Sequence, residues 1–557
     1  MYIGSSAYWN RFRPVPASKK DYSKLAGRLV LGRIPGTELD SVTQKGLADG
    51  TISGVVLFKK NAESIEQLAA LCKQIIDTSH HPPIIAVDQE GGAVQRFDQL
   101  LTPLPSQMAL AAAQKEEFVK QCAEINARQC KMLGVNCIFS PVMDVLTNNL
   151  NPVVATRAFS SDEVKVSELS KIVLTAIASE GITPVGKHFP GHGATLEDSH
   201  FDLAVNPTDP TAIWKTDLFP FRECLSELPA VMMAHVWLSQ IDEEPLPASL
   251  SQRIVKRILR EYFEYDGLIM TDDLTMKAIT QKWGLKEAAV MALEAGNDLL
   301  LVCAEDPAET LEVSKHIAQE IKSGRLDADR LDQSVRRLEK RFGNRLKPAT
   351  KQSLRALKED VSKSTEVTLT AAAASIALLT RGLVETESKT SAIEPARGTW
   401  KNPISNADSW VLVTPKHPRY PLNLLSYVTE LVECNSDTLK NIAFTEIRYN
   451  LDPTEQDVAA VAKECAGKNC IFLTFRAMTN SGQVQLGVKL KETANEVVAV
   501  ACETPFDITV VSGFKHSLAT FDPSELGMRG LSYVLLGIIE PLGVPPVDLQ
   551  LQTFERR

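Results

Sequence analysis

The 557-residue chain contains no apolar run long enough to cross a membrane, and its N-terminus, MYIGSSAYWNRFRPVPASKK, has none long enough for a secretion signal. It has no C-x-x-C pair. Its ten cysteines are scattered, and Cys137 and Cys303 lie inside apolar runs. They read as reduced, mostly buried thiols of a cytoplasmic protein. It has no basic excess: the net charge of -9 argues against a general nucleic-acid binder. The zinc signature H-E-x-x-H is missing. There is no low-complexity tract and no internal repeat beyond a β–α period. What remains is a soluble globular composition, 44% hydrophobic and 23% charged, on a chain too long for one ordinary core.

Eight short apolar runs occupy the first 340 or so residues: LVLGRI (29–34), GVVLF (54–58), PIIAVD (83–88), NCIFSPVMDV (136–145), ITPVGKHF (182–189), AVMMAHV (230–236), GLIMTDDL (267–274) and DLLLVC (298–303). They are continuous rather than alternating, as parallel strands covered on both faces are. Helical patterns separate them. Eight such units predict a (β/α)8 TIM-type barrel over residues 1–345, with a doubly wound open sheet as the alternative. Residues 346–404 read as a helical connection and linker. Residues 405–557 read as a smaller α/β sandwich domain, with strands at 409–414, 469–475, 507–513 and 532–539 and helices near 422–432 and 490–499. That domain shows no cluster of His, Asp and Glu at its strand ends.

In a barrel of this kind the chemistry sits at the C-terminal ends of the strands. Polar residues gather there: Asp88-Gln89-Glu90, Asp144, Lys187-His188, His235 and Asp272-Asp273. The fifth run leads into GKHFPGHGATLEDSH (186–200), which holds three histidines. A metal site on His188, His192 and His200 is one reading. However, Pro190 and Gly191 interrupt the helix that an H-x3-H pair needs. An acid–base site is the other reading. Asp198, two residues before His200, would set the tautomer of that imidazole and stabilise its protonated form. Gly191 and Gly193 would let the loop bend and move.

Asp272 and Asp273 end an apolar strand, where carboxylates are costly unless used or paired. One would face the pocket, and Asp273 also suits a helix N-cap. An aspartate nucleophile beside a separate acid/base group is the equipment of retaining glycoside hydrolysis. Arg96, Arg157 and Lys187 add donors around the same strand ends, and Asp88 adds an acceptor for sugar hydroxyls.

The segments KHFPGHGATLEDSH, AVDQEGGAVQRF and GLIMTDDLTMKAI closely resemble the β-N-acetylglucosaminidase branch of glycoside hydrolase family 3. The resemblance covers most of residues 20–345 and, more weakly, the tail from Phe514 to Val547. It implies an Asp272 nucleophile, His200 as general acid/base and Asp198 as its partner. It implies that Asp88, Arg96, Arg157, Lys187 and His188 bind N-acetylglucosamine. His192 belongs to the motif without a catalytic role.

The expected partner is a small carbohydrate, with no cofactor, metal, nucleic acid or membrane. Ala155, where the family more often has glycine, and Ala93 depart from the pattern. A phosphorylase of the same family, a metal-dependent hydrolase on the three histidines and a non-catalytic sugar binder stand as the alternatives.

Overall fold

The structure is a computed structural model that describes residues 21–197, 202–344, 346–381, 393–395, 402–406, 409–435, 439 and 442–549. Each of the eight apolar runs forms a strand: β1 (Val30–Arg33), β2 (Gly54–Leu57), β3 (Ile84–Val87), β4 (Cys137–Ile138), β5 (Thr183–Pro184 and Gly186–Phe189, broken at Val185), β6 (Ala230–Met233), β7 (Leu268–Asp273) and β8 (Leu299–Leu301). All pair in parallel, in the order β5-β4-β3-β2-β1-β8-β7-β6-β5. The first and last positions are the two halves of the same strand, so the sheet closes on itself. This decides between the barrel and the open doubly wound sheet.

The strands carry almost no exposed surface because helices cover them outside and side chains fill them inside. The covering helices begin at the expected signals. Asp162 caps Glu163–Ser179 by accepting from the N–H groups of Val164 and Lys165. Asp306 caps Pro307–Ser323, whose first residue is proline.

The barrel floor is held by Asp298, at the N-terminal end of β8 and fully buried. It accepts from Ser334 Oγ at 2.6 Å, from the backbone N–H of Ile269 at 3.0 Å and from Arg337 at 3.3 Å, and it pairs with Arg260. This one carboxylate ties β7, β8 and the helices Arg253–Tyr262 and Ala328–Phe342 together.

A second sheet of seven strands follows: β9 (Ala377–Arg381), β10 (Ile393–Pro395), β11 (Ser409–Lys416), β12 (Ala443–Asn450), β13 (Asn469–Thr474), β14 (Glu496–Ala501) and β15 (His516–Ala519), in the order β10-β9-β15-β14-β13-β11-β12. Its parallel part has the doubly wound order 2-1-3-4-5. Several sequence expectations fail in this region. β9 and β10 come from the segment read as a connection and linker. The run at 507–513 contains a single helical turn, Asp507–Val510, and the run at 532–539 overlaps the helix Glu525–Leu535. The strand is instead EVVAVA at 496–501, where a helix was expected. A short apolar run fits a buried strand or a buried helix equally well by periodicity. Here the capping side chain of Ser524, which accepts from Gly527 N–H, marks the helix start.

The two sheets share apolar packing. Met108, Leu146 and Val154 of the barrel pack in one cluster with Leu379, Phe506 and Phe521. Ser106 of the barrel donates from Oγ to the Phe521 carbonyl at 2.7 Å, and its N–H donates to Asp522 at 3.0 Å. Nine of the ten cysteines are buried, and only Cys434 is exposed. Among the described residues no helix is long and apolar enough to cross a membrane.

Asp298→Ala would leave Arg260 and Arg337 without their shared carboxylate. It should cost about 3–5 kcal/mol of unfolding free energy, read by chemical denaturation.

Candidate active site

At the C-terminal mouth of the barrel lies a cavity of about 610 Å³. Six of the eight predicted site residues line it: Asp88, Arg96, Arg157, Lys187, His188 and Asp272. The other two, Asp198 and His200, lie outside the described residues.

The floor of the cavity is a buried ion network. Lys187, on β5, is 2% exposed. It reaches Asp88 Oδ1 at 2.7 Å and Glu90 Oε1 at 2.5 Å. Arg96 reaches the other oxygen of Asp88 at 3.2 Å. Arg157 grips Glu90 with two parallel bonds of 2.8 Å. Its fork is therefore occupied, and Nη2 lies 3.3 Å from His188 Nε2.

Burial acts to raise the carboxyls of Asp88 and Glu90, but the surrounding cations outweigh it and hold both below the usual carboxylate range. Burial acts to lower Lys187, and the same two carboxylates outweigh it, so its ammonium is kept.

Asp144 is completely buried after β4. It accepts from His188 Nδ1 at 2.7 Å and from the backbone N–H of His192 at 2.7 Å. With Nδ1–H committed to Asp144, the Nε2 of His188 is the ring's acceptor and meets Arg157 Nη2. Asp144 and Glu90 thus set the orientation of two predicted binding residues. Sequence reading placed both at strand ends but gave neither a role. Their one signal was charge at the end of an apolar run.

Asp272 and Asp273 both line the cavity. Burial pushes the Asp272 carboxyl up, yet His235, His188 and Lys187 outweigh it and bring it below its ordinary range. It is an anion at neutral pH. Asp273 differs. It accepts from Thr275 N–H at 3.0 Å, Thr275 Oγ1 at 2.7 Å and Cys303 N–H at 3.1 Å. It stitches the turn after β7 to β8. It is not a helix cap: the helix Lys277–Thr280 is preceded by Met276. His235 Nε2 donates to the Asp273 carbonyl at 3.0 Å, which leaves Nδ1 to accept from Ser249 Oγ at 2.8 Å.

The loop after β5 is less free than its glycines suggest. Residues from Pro190 to Thr195 are buried. Asn151 Nδ2 donates to the His192 carbonyl at 2.8 Å, and the His192 ring shares a 2.8 Å hydrogen bond with the Thr195 hydroxyl. A Cβ on Gly193 would fall 1.7 Å from the Val145 carbonyl oxygen, and one on Gly191, at φ 130°, would fall 2.6 Å from Asp217 Cβ. These glycines answer close approach and one left-handed position rather than a hinge. Ala155, where glycine was noted as commoner, has φ 41°.

Among the described residues no group of three metal-ligating side chains is present. His200 is not among them.

The geometry suits a glycosidase pocket, with one ionised carboxylate at a strand end and a rigid set of donors and acceptors around it. Comparison with known proteins agrees. Residues 27–340, more than half of the chain, match the model described as "Glycosyl hydrolase family 3 N terminal domain". The chain belongs to glycosyl hydrolase family 3. It is a glycoside hydrolase.

A protein named beta-hexosaminidase from Alkalilimnicola ehrlichii is 38% identical over 286 residues, covering 50% of this chain and 81% of its own. One of the same name from Idiomarina loihiensis is 35% identical over 274 residues, covering 48% and 82%. The solved structure of a glycoside hydrolase family 3 β-N-acetylglucosaminidase from Paenibacillus matches at TM-score 0.80 and 26% identity, covering 95% of this chain and 99% of that one. The family's barrel thus accounts for the curated matches, while the structural match extends through the second sheet.

Sequence reading missed one group entirely. Arg419, Tyr420, Arg476 and Glu503 come from the second sheet and line the same cavity. The second domain is therefore part of the pocket wall.

Two expectations follow. Glu90→Gln should cost about 3–5 kcal/mol of stability, because Arg157 and Lys187 lose a buried charged partner, and it should also weaken turnover by loosening Arg157 beside His188. Both are read from denaturation and kcat/KM on one preparation. Asp217, buried beside Gly191, has its carboxyl pushed up to about 7 by burial. Its folded pKa is raised, so the parent loses stability as pH climbs through that value. Asp217→Asn should match the parent near pH 4 and exceed it above pH 8, by up to roughly 4 kcal/mol, in denaturation at both pH values.

Proposed function

We propose that the chain is a retaining, exo-acting β-N-acetylglucosaminidase that releases terminal N-acetylglucosamine by double displacement. The observation that carries this reading is Asp272, an ionised carboxylate at the end of β7 that opens into a pocket of fixed donors. The beta-hexosaminidase relatives and the β-N-acetylglucosaminidase structure support the substrate class.

In this reading Asp272 attacks the anomeric carbon. His200, protonated and steadied by Asp198, gives its proton to the departing oxygen. Water then attacks the glycosyl–enzyme bond, with His200 now taking a proton and Asp272 leaving. Acid–base help of this kind is worth about 10²–10⁴-fold. Asp88, Arg96, Lys187 and His188 hold the sugar, and Arg157 sets His188 through the Glu90 pair. The enzyme would act in the cytoplasm on small carbohydrates, releasing N-acetylglucosamine from peptidoglycan fragments or other amino-sugar glycosides for recycling, with no cofactor.

Asp272→Ala should lower the release of 4-nitrophenol from 4-nitrophenyl N-acetyl-β-glucosaminide by more than about 10³-fold, roughly 4 kcal/mol of barrier. The first anomer released by the parent, followed by NMR, should be β. Full activity in the variant, or first release of the α anomer, would overturn the assignment.

A further inference from the structure

The barrel supplies every group that the proposed chemistry uses, yet four lining residues of the cavity come from the second sheet. Their positions follow a rule. Arg419 follows β11, Arg476 follows β13 and Glu503 follows β14, so all stand beyond the C-terminal ends of parallel strands. β11 and β13 are the neighbours at which the strand order reverses direction. Open α/β sheets bind ligands in the crevice at that reversal. Here the crevice faces the barrel mouth. Arg419 donates to the Ala93 carbonyl at 3.1 Å, and Arg476 to the Pro152 carbonyl at 3.3 Å.

The four side chains are held in place beforehand. Arg476 has φ 52°, a left-handed conformation that costs a residue other than glycine roughly 1–2 kcal/mol. It is kept there by two bonds to buried Glu503, at 2.5 and 2.9 Å. Strain of this kind clusters at functional sites. Tyr420 stands in an aromatic cluster with His417 and Phe475, at centroid distances of 5.0 and 5.6 Å. The N–H groups of Arg419 and Tyr420 both donate to His417 Nδ1 at 3.1 Å.

Charge separates one residue from the rest. Arg96, Arg157, Lys187 and Arg476 each face a carboxylate. Arg419 is exposed, lies over the Tyr420 ring at 5.5 Å, and forms no ion pair among the described residues. Resting on the glycosidase reading above, we propose that Arg419, Tyr420, Arg476 and Glu503 form the leaving-group subsite, and that Arg419 selects leaving groups that carry a negative charge. Tyr420 offers its face to the ring of the leaving group. The Arg476–Glu503 pair offers a fixed donor and acceptor. Arg419, at the open end, supplies the uncompensated cation.

The test uses the full chain and two substrates, 4-nitrophenyl and 3-carboxy-4-nitrophenyl N-acetyl-β-glucosaminide. The readout is the ratio of kcat/KM for the carboxylated substrate to that for the neutral one. Both are measured on one preparation, so loss of folded protein cancels. Arg419→Ala should lower the ratio about tenfold at low ionic strength, as expected for loss of one charge-assisted hydrogen bond. Arg419→Glu should lower it further, and Arg419→Lys should keep part of it. Ratios within twofold of the parent in the Ala and Glu variants would overturn the inference while leaving the glycosidase reading intact. A parent that splits neither substrate would overturn the glycosidase reading and this inference with it.

Discussion

The structure depends on the charge cluster that Lys187 makes with Asp88 and Glu90. An ammonium that is 2% exposed is tolerable only because two carboxylates meet it and Arg96 and Arg157 meet them in turn. Desolvation makes each member costly alone, and the pairing makes the set stable together. The cluster spans β3, β5 and the turn at Ala155–Arg157. It therefore fixes the relative position of three barrel segments at the place where a substrate would be held. Asp144 extends the same logic to His188 and to the backbone of His192.

That rigidity explains how the carboxylates at the mouth take different roles. Glu90 is consumed by cations, while Asp88, paired with Lys187 and Arg96, keeps an edge on the cavity. Asp273 is consumed by the turn it closes. Asp272 makes one hydrogen bond to the N–H of Asp273 at 2.7 Å and otherwise faces the cavity, with the His235 and His188 rings and Lys187 around it. Its neighbours keep it ionised without pairing it away, which is the condition a nucleophile needs.

Much of this arrangement was legible in the chain. The eight apolar runs were long enough and regular enough to read as barrel strands, and the polar residues at their ends pointed to the mouth. Only the pairing of both halves of β5 proved closure, because closure is a relation between residues 183–189 and strands on either side. The second sheet was read less well. EVVAVA and SYVLLGII are both short apolar runs, and which becomes strand or helix depends on neighbours rather than on period. The roles of Glu90 and Asp144 were hidden for the same reason. Each acts on a residue 44 to 97 positions away.

The sequence by itself determined the kind of machine: the β–α period, the strand-end chemistry and the motifs of family 3, all of which are local patterns. The tertiary structure decided which charges are free and which are spent. Arg157 and Arg419 are both arginines near the mouth, and nothing local distinguishes them. Folding brings a carboxylate to one and leaves the other facing solvent. A charge's function depends on its desolvation and its partners, and both are set by what the fold places beside it.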